Sequence, residues 1–132
     1  MPYGSFPVEA VAGVPVVFAP EEIDITNAET LRSALLRAAA DGSDTLVVDM
    51  TRTRFCDSAG LHVLVAAHRR AEAEGREVLL VISSTTVLRL FAITGVDRVI
   101  PTFTSLPEAL AGTTDAASGS GNPARIDDLS SA

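Results

Sequence analysis

Two short aliphatic runs, each followed by a helical pattern, limit the folds open to this chain. The runs are Thr45–Met50 and Glu77–Ile82, and both are rich in valine, leucine or isoleucine. Nearly uninterrupted apolar runs of this length are typical of parallel strands that are covered on both faces. After each run the apolar residues recur at a spacing of three and four, which indicates a helix. This alternation predicts strand–helix–strand units, right-handed crossovers and a mostly parallel sheet.

The rest of the chain adds a hairpin and further helices. Segments 6–11 and 14–18 flank the turn-forming pair Ala12-Gly13, which predicts an antiparallel hairpin with Pro15 at a strand start or on an edge. Helices are predicted at residues 26–40, 58–74, 85–93 and 105–112, and a last short strand at 99–100. The predicted fold is a single α/β domain with a mixed, mostly parallel sheet of about five strands, antiparallel at its N-terminal strand, and about four helices. Residues 1–5 are predicted as an N-terminal extension, 6–111 as the domain and 112–132 as a disordered tail poor in large apolar residues.

The first helix carries a capping signal. Thr26 and Glu29 have the spacing of a capping box, in which each side chain binds a backbone amide at the other's position. Thr26 is therefore the predicted N-cap, and Asp24 is expected just outside the helix and exposed. Asp24 forms an acidic loop with Glu21 and Glu22. Three close carboxylates could hold a metal or act in acid–base chemistry, and a solvated acidic loop is the alternative.

Charge and residue usage exclude several function classes. The chain of 132 residues has a formal net charge of −7, which argues against binding to nucleic acid or to an anionic membrane. All 10 basic residues are arginines, so lysine Schiff-base chemistry is excluded. Cys56 is the only cysteine, so one chain can form neither an internal disulfide nor a cysteine metal cluster. Without a signal-peptide pattern or an apolar run of membrane-spanning length, a cytoplasmic protein is expected.

Most catalytic motifs are missing. The chain has neither a glycine-rich phosphate loop nor a Gly-x-Ser-x-Gly nucleophile elbow. His62 and His68 share one predicted helix at a spacing that is neither three nor four residues, so a metal site is not indicated. A nucleophilic pair of Ser58 with His62, as in a small hydrolase, stays open as an alternative. Cys56 is predicted as a small core residue, with Phe55 as its buried neighbour.

The step from the Thr45–Met50 strand into the next helix is the candidate site. Asp57 and Ser58 follow the carboxyl end of the predicted strand, where α/β proteins usually build their sites. Both are good N-cap residues, so the turn can be a simple helix cap. The alternative is that Ser58 presents a modifiable hydroxyl to a partner. The acidic loop follows a strand that ends on the same edge, so both segments are expected on one rim of the sheet.

The residues around Ser58 resemble one known family. Asp57-Ser58-Ala59-Gly60-Leu61, in this strand–helix setting, resembles the phosphorylation-site motif of STAS-domain anti-sigma factor antagonists. Glu22-Ile23-Asp24 resembles the Gly-Glu-Leu-Asp stretch before the first helix of that family, and Thr94-Gly95-Val96 resembles its Thr-Gly-Leu-like turn. The resemblance extends over residues 8–110 and implies a STAS-like domain. One departure is Glu21, which stands where the family has glycine.

The resemblance implies a bacterial regulator that is not an enzyme and needs no cofactor or metal. The unphosphorylated protein would bind an anti-sigma factor that is also a serine kinase, and so release a sigma factor for transcription. That kinase would phosphorylate Ser58 and a serine phosphatase would restore it, in a partner-switching cycle of a monomer or weak dimer. The residues expected at the partner surface are Glu22, Asp24, Asp57, Ser58, Ala59, Gly60 and His62. The alternative is a STAS interaction module of another signalling assembly, with nucleotide binding as one option and no sigma-factor control.

Overall fold

The computed structural model describes residues 5–118, and its elements follow the α/β order that the sequence predicts. The strands are β1 (Val8–Val11), β2 (Val14–Phe18), β3 (Glu22–Ile23), β4 (Thr45–Met50), β5 (Phe55–Cys56), β6 (Glu77–Ile82) and β7 (Thr102–Phe103). The helices are α1 (Ala28–Ala39), α2 (Ser58–Ala73), α3 (Thr85–Thr94) and α4 (Leu106–Ser118), with a 3₁₀ helix at Val96–Arg98. The main sheet has the order β1-β2-β4-β6-β7, and β3 pairs with β5 in a second, two-stranded sheet.

An antiparallel hairpin opens the main sheet, as predicted. Ala12 (φ 53°) and Gly13 (φ 80°) both have a left-handed backbone, the geometry of a two-residue turn that matches strand twist. Pro15 pairs with Ala10 of β1, whereas the pairing of β2 with β4 begins one residue later, at Val16. The missing N–H of Pro15 therefore leaves no gap in the β2–β4 ladder. The other neighbours in the main sheet are parallel, which confirms the predicted mixed sheet.

Helices cover both faces of the sheet. Residues of α1, α2 and α3 pack against one set of strand side chains, among them Val48 and Leu80, in the larger core. The adjacent strand residues Val47 and Val81 belong to the other core, where Ala109 of α4 is buried with them. Side chains alternate between the two cores along β4 and β6. This explains why both runs are apolar almost throughout.

The last strand differs from the prediction. The predicted strand at residues 99–100 is wrong, because Gly95 (φ 82°) ends α3 and the chain then turns through the 3₁₀ helix. Ile100 is buried, but its N–H donates to the Val96 carbonyl (2.9 Å) inside that turn. Pairing with β6 starts at Pro101, whose carbonyl accepts the Leu80 N–H (2.9 Å), and continues into β7. Of the predicted pair, Ile100 therefore lies in the core and Val99 is half exposed, and the strand forms at Thr102 and Phe103 instead.

Helix α4 begins near its predicted start and ends later than predicted. Ser105 Oγ accepts the Glu108 N–H (3.3 Å) at the start of the helix. Gly112 does not end the helix, which continues to Ser118, because one glycine in a helix interior costs only about 1 kcal/mol. The first residues of the predicted tail are therefore helical, and residues 119–132 lie outside the described part of the chain. Within residues 5–118, no helix is both long and apolar enough to cross a membrane.

The two-stranded sheet of β3 and β5 was not predicted. Glu22 pairs with Phe55 and Ile23 with Cys56, in parallel register. A Cβ added at Gly60 of α2 would lie 2.6 Å from Ile23 Cγ2 and 2.8 Å from Cys56 Sγ. A glycine is therefore required for α2 to approach β3 and β5 this closely. This close approach positions the start of α2 against the acidic loop.

We expect the substitutions Gly60→Ala and Gly112→Ala to change stability in opposite directions. Alanine favours a helix over glycine by about 1 kcal/mol, and at exposed Gly112 its Cβ would meet only Phe103 Cζ, at 3.8 Å. At Gly60 the overlap with buried side chains should outweigh that gain and give a net loss of about 1–2 kcal/mol. Urea unfolding of both variants measures the two values. Equal stabilisation by both would show that α2 does not depend on the close approach.

Candidate functional site

The N-terminus of α2 is capped by Asp57 and not by Ser58. Asp57 Oδ1 accepts the N–H groups of Ala59 (2.9 Å) and Gly60 (3.2 Å), and the Asp57 carbonyl accepts the Leu61 N–H (3.1 Å). Ser58 is the first residue of the helix itself. Of the two candidate caps in the sequence, the carboxylate therefore performs the capping, and the hydroxyl of Ser58 is not needed for it.

The acidic loop and the Ser58 turn meet on one rim, as predicted. The second oxygen of Asp57, Oδ2, accepts the Ile25 N–H (3.2 Å) across 32 positions of sequence. The Asp57 N–H in turn donates to the Ile23 carbonyl (3.0 Å). Together with the β3–β5 pairing, these bonds tie the segment before α1 to the segment before α2. These two segments, residues 21–27 and 55–58, therefore form one connected surface, which we call the rim.

The Ser58 side chain is exposed and its hydroxyl makes no hydrogen bond with any residue in the described range 5–118. His62 lies one turn further along α2 and is also exposed, yet the two side chains are not hydrogen-bonded to each other. His68 lies at the border of the core, as predicted. Its Nδ1 is buried without a partner among the described residues, and its Nε2 is 3.9 Å from Glu72. No serine–histidine pair is therefore assembled at this rim in the described chain.

The capping box predicted from Thr26 and Glu29 is wrong, because Asp24 binds Thr26 instead. Asp24 Oδ1 accepts both the N–H (2.9 Å) and the hydroxyl of Thr26, and α1 begins only at Ala28, after Asn27. Asp24 is part-buried, and its N–H donates to Asn27 Oδ1 (2.9 Å).

The charged form of Asp24 is favoured in the fold. The Thr26 hydroxyl, followed by the Thr26 amide, holds the pKa of the Asp24 carboxyl below its ordinary value. The corresponding stabilisation is present above the ordinary carboxyl pKa, and it is lost as the pH falls through the lowered one. Asp24 therefore contributes a fixed negative charge to the rim at neutral pH.

The two glutamates of the acidic loop are exposed, and the loop needs no special backbone. The Glu21 carbonyl accepts the N–H groups of Arg54 (2.8 Å) and Phe55 (3.3 Å). Among the non-glycine residues of the described range, only Ala12 has a positive φ, so Glu21 replaces the glycine of the resembled family without backbone strain. No group of three or more potential metal ligands occurs within residues 5–118.

Cys56 and Phe55 point in opposite directions from β5. Cys56 is buried, and burial, with a smaller contribution from the Asp57 charge, raises the pKa of its thiol to about 12. The thiol is therefore neutral and unreactive, which confirms its predicted role in the core. The prediction that Phe55 is buried is wrong, because its side chain is 51% exposed. Ile25, whose N–H donates to Asp57, is 78% exposed, so both segments joined at Asp57 carry an exposed apolar side chain.

Sequence reasoning missed Ile25 and Phe55 as functional candidates. Of the predicted partner-surface residues, Glu22, Ser58 and His62 are exposed, Asp24, Asp57 and Ala59 are part-buried, and Gly60 is buried. Phe55 lies in β5, a strand of two residues, and so short a strand has no sequence period that would show which side chain faces outward. Only the alternation next to buried Cys56 could have indicated that Phe55 is exposed.

The roles of Asp57 and Ser58 can be separated by two alanine substitutions. Asp57→Ala removes the acceptor of three backbone amides, and we expect it to lower the free energy of unfolding by about 1–2 kcal/mol. Ser58→Ala removes an exposed, unbonded hydroxyl and should change that free energy by less than about 0.5 kcal/mol. Urea denaturation measures both. A loss from Ser58→Ala as large as that from Asp57→Ala would mean that Ser58 is the cap.

Comparison with known proteins places this arrangement in a family. Residues 5–109 match the family model described as the STAS domain. The anti-sigma-F factor antagonist RsfB of Mycobacterium tuberculosis is 31% identical over 102 residues, which cover 76% of this chain and 81% of that protein. The anti-sigma-B factor antagonist of Bacillus subtilis is 34% identical over 79 residues, covering 60% of this chain and 72% of that protein. The crystal structure of an anti-sigma factor antagonist from Mycobacterium paratuberculosis has a TM-score of 0.77 at 31% identity, covering 84% of this chain and 94% of that one. With its matched sequence, its mixed sheet and its Asp57-capped helix, the chain belongs to the STAS domain family.

Proposed function

We propose that this chain is an anti-sigma factor antagonist controlled by phosphorylation of Ser58. In the unphosphorylated form it binds an anti-sigma factor that is also a serine kinase, and a sigma factor is released. The kinase phosphorylates Ser58 and so ends the binding, and a serine phosphatase restores the hydroxyl. The relatives named as anti-sigma factor antagonists support the general role. The observation that carries the switch is the exposed Ser58 hydroxyl, which has no hydrogen bond in the described chain while Asp57 caps the helix.

A phosphate at Ser58 is compatible with the fold. Phosphorylation adds a charge of roughly −1.5 to −2 and strong acceptor oxygens. At the first residue of α2 these oxygens face the positive end of the helix, which favours an anion. Because Ser58 has no side-chain bond within residues 5–118 that the phosphate would break, the domain should remain folded. The consequence of phosphorylation therefore falls on the partner.

The same phosphate would strongly disfavour a partner that binds the unmodified rim. The carboxylates of Asp57 and Asp24 lie in the two segments that meet here and already make this surface negative. A partner surface that complements a hydroxyl and these carboxylates would meet additional like charge and would have to desolvate it. About 1.4 kcal/mol is sufficient for a tenfold change in affinity, so a single modification can act as a switch.

The partner surface that we propose combines charge with an apolar centre. Phe55 and Ile25 supply the exposed apolar area, and aromatic side chains are frequent anchors of interfaces. Glu22 and His62 are exposed at its margin. Gly60 is buried, so its contribution to binding is the placement of α2 and not direct contact.

Affinity capture followed by phosphorylation tests this function. The Ser58→Ala chain is used as bait in native lysate, and the captured partner is then incubated with ATP and the unsubstituted chain. Capture of an anti-sigma factor, and one added phosphate at Ser58 by intact mass and peptide mapping, are the expected results. Capture of a different signalling assembly without phosphorylation would favour the alternative STAS module. Labelling of Ser58 by a serine-directed inhibitor would favour a hydrolase.

A charge substitution measures the strength of the switch. We expect Ser58→Glu to weaken binding to the captured anti-sigma factor by at least about tenfold, because it places a carboxylate at the switch position. Ser58→Ala should bind like the unsubstituted chain. Ser33→Glu, at an exposed position of α1, is the matched control for added charge and should also bind normally. Calorimetric melting accompanies the binding assay, and a collapse of stability in Ser58→Glu would contradict the proposed switch.

A further inference from the structure

Ser58 and His62 lie four residues apart on the same exposed side of α2. Residues at this spacing are neighbours on a helix surface, with about 5–6 Å between their Cβ atoms. Both side chains are exposed, and neither makes a hydrogen bond or an ion pair with any residue between 5 and 118. Leu61 and Leu64, on the other side of the helix, are buried. The two polar side chains are therefore available to each other and to a group attached to one of them.

Helix geometry directs the His62 side chain toward Ser58. Every Cα–Cβ bond of an α-helix is tilted toward the helix N-terminus, so a long side chain covers the surface of the preceding turn. For His62 that turn begins at Ser58, the first residue of α2. A phosphate on Ser58 adds a phosphorus atom and three acceptor oxygens beyond the hydroxyl oxygen. Phosphorylation therefore brings strong acceptors closer to the imidazole than the hydroxyl is.

Carboxylates surround the start of α2. Asp57 caps the helix directly before Ser58, and Glu22 and Asp24 lie in the segment joined to it by the hydrogen bond from the Ile25 N–H to Asp57 (3.2 Å). These groups would repel a phosphate on Ser58. The positive end of a helix amounts to roughly half an elementary charge, against about two negative charges on the phosphate. A neighbouring cation would therefore contribute more here than the helix end does.

His62 is the group on α2 that can supply this positive charge. The nearest arginine of the helix is Arg69, about three turns beyond Ser58. On α1, Arg32 is paired with Glu29 (3.6 Å). Histidine is the side chain whose ordinary change of charge falls between pH 5 and 8, and a phosphoserine loses its second proton at about pH 6. An imidazolium and a phosphate dianion each favour the charged form of the other, and a hydrogen bond between them is charge-assisted.

We propose that His62 binds the phosphate of phosphorylated Ser58 and holds it at the start of α2, an inference that rests on the phosphorylation proposed above. The phosphate accepts an N–H from the imidazolium of His62, and the positive end of α2 lies on its other side. His62 acts as a positioning residue, because it fixes the orientation of the anion that a partner meets at the rim.

Phosphorus NMR of the full chain with genetically encoded phosphoserine at position 58 tests the proposal. The pH dependence of the phosphorus shift gives the midpoint at which the phosphate loses its second proton. His62→Gln removes the cation at an exposed position, and we expect it to raise this midpoint by about 0.3 pH unit, the effect of an exposed charge pair at this helix spacing. His62→Arg keeps a cation at the position and should retain the low midpoint.

Two control variants separate His62 from the other cations. Arg69→Gln removes a positive charge further along α2 and should leave the midpoint unchanged. Arg54, an exposed arginine before β5 that has no ion pair among residues 5–118, is the competing cation, and Arg54→Gln should also leave the midpoint unchanged.

An equal midpoint in the unsubstituted and His62→Gln chains would overturn the proposal. A rise in Arg54→Gln alone would also overturn it and would assign the phosphate to that arginine. Because the phosphoserine is encoded, the measurement needs no kinase. A captured partner that does not phosphorylate Ser58 would contradict the proposed function, whereas a phosphate that does not respond to His62 would contradict only this inference.

Discussion

One carboxylate, that of Asp57, connects the parts of this molecule on which the candidate site depends. Its two oxygens accept amides from Ala59, Gly60 and Ile25, so it closes the first turn of α2 and holds the segment before α1 at the same time. An ionised acceptor suits this position, because bonds from backbone amides to a carboxylate are stronger than those to a neutral group, and the helix end favours negative charge. Because Asp57 caps the helix, the Ser58 hydroxyl lies at the surface without a hydrogen-bond partner in the part of the chain that the structure describes.

The geometry around Asp57 is in turn set by close packing behind it. Ile23 and Cys56 are buried against Gly60, and their backbones pair in the short β3–β5 sheet. Rigid support of this kind allows a surface hydroxyl to be presented in one place without contributing to stability itself. The proposed switch follows from this separation, since the residue that would be modified and the residue that caps the helix are different.

The long elements could be predicted because burial on two faces leaves a strong signal in the sequence. Strands β4 and β6 have the predicted bounds, and α3 begins at its predicted residue and ends at Gly95. The β3–β5 pair could not be predicted, since two residues show no period and the pairing joins segments far apart in sequence. Thr26 matched a capping-box spacing, but its hydroxyl is bound by Asp24.

The candidate site was located from sequence, but the roles within it required the structure. Asp57 and Ser58 are equally good caps as residue types, and only the positions of the Ala59, Gly60 and Ile25 amides decide between them. The exposed side chain of Phe55 depends on a strand that the sequence does not reveal. The local residue pattern therefore identified the Asp57-Ser58 turn as the candidate site. The hydrogen bonds and strand pairing seen in the structure decided which of its side chains caps the helix and which is exposed.

The most direct measurement is a backbone amide NMR comparison of the chain with serine and with genetically encoded phosphoserine at position 58. If the Ser58 hydroxyl is independent of the fold, chemical shifts should change only in the first turn of α2 and in the connected segment from β3 to the start of α1, with the melting temperature retained. Shift changes throughout both cores, or a large loss of melting temperature, would show that the hydroxyl supports the fold and would contradict the account.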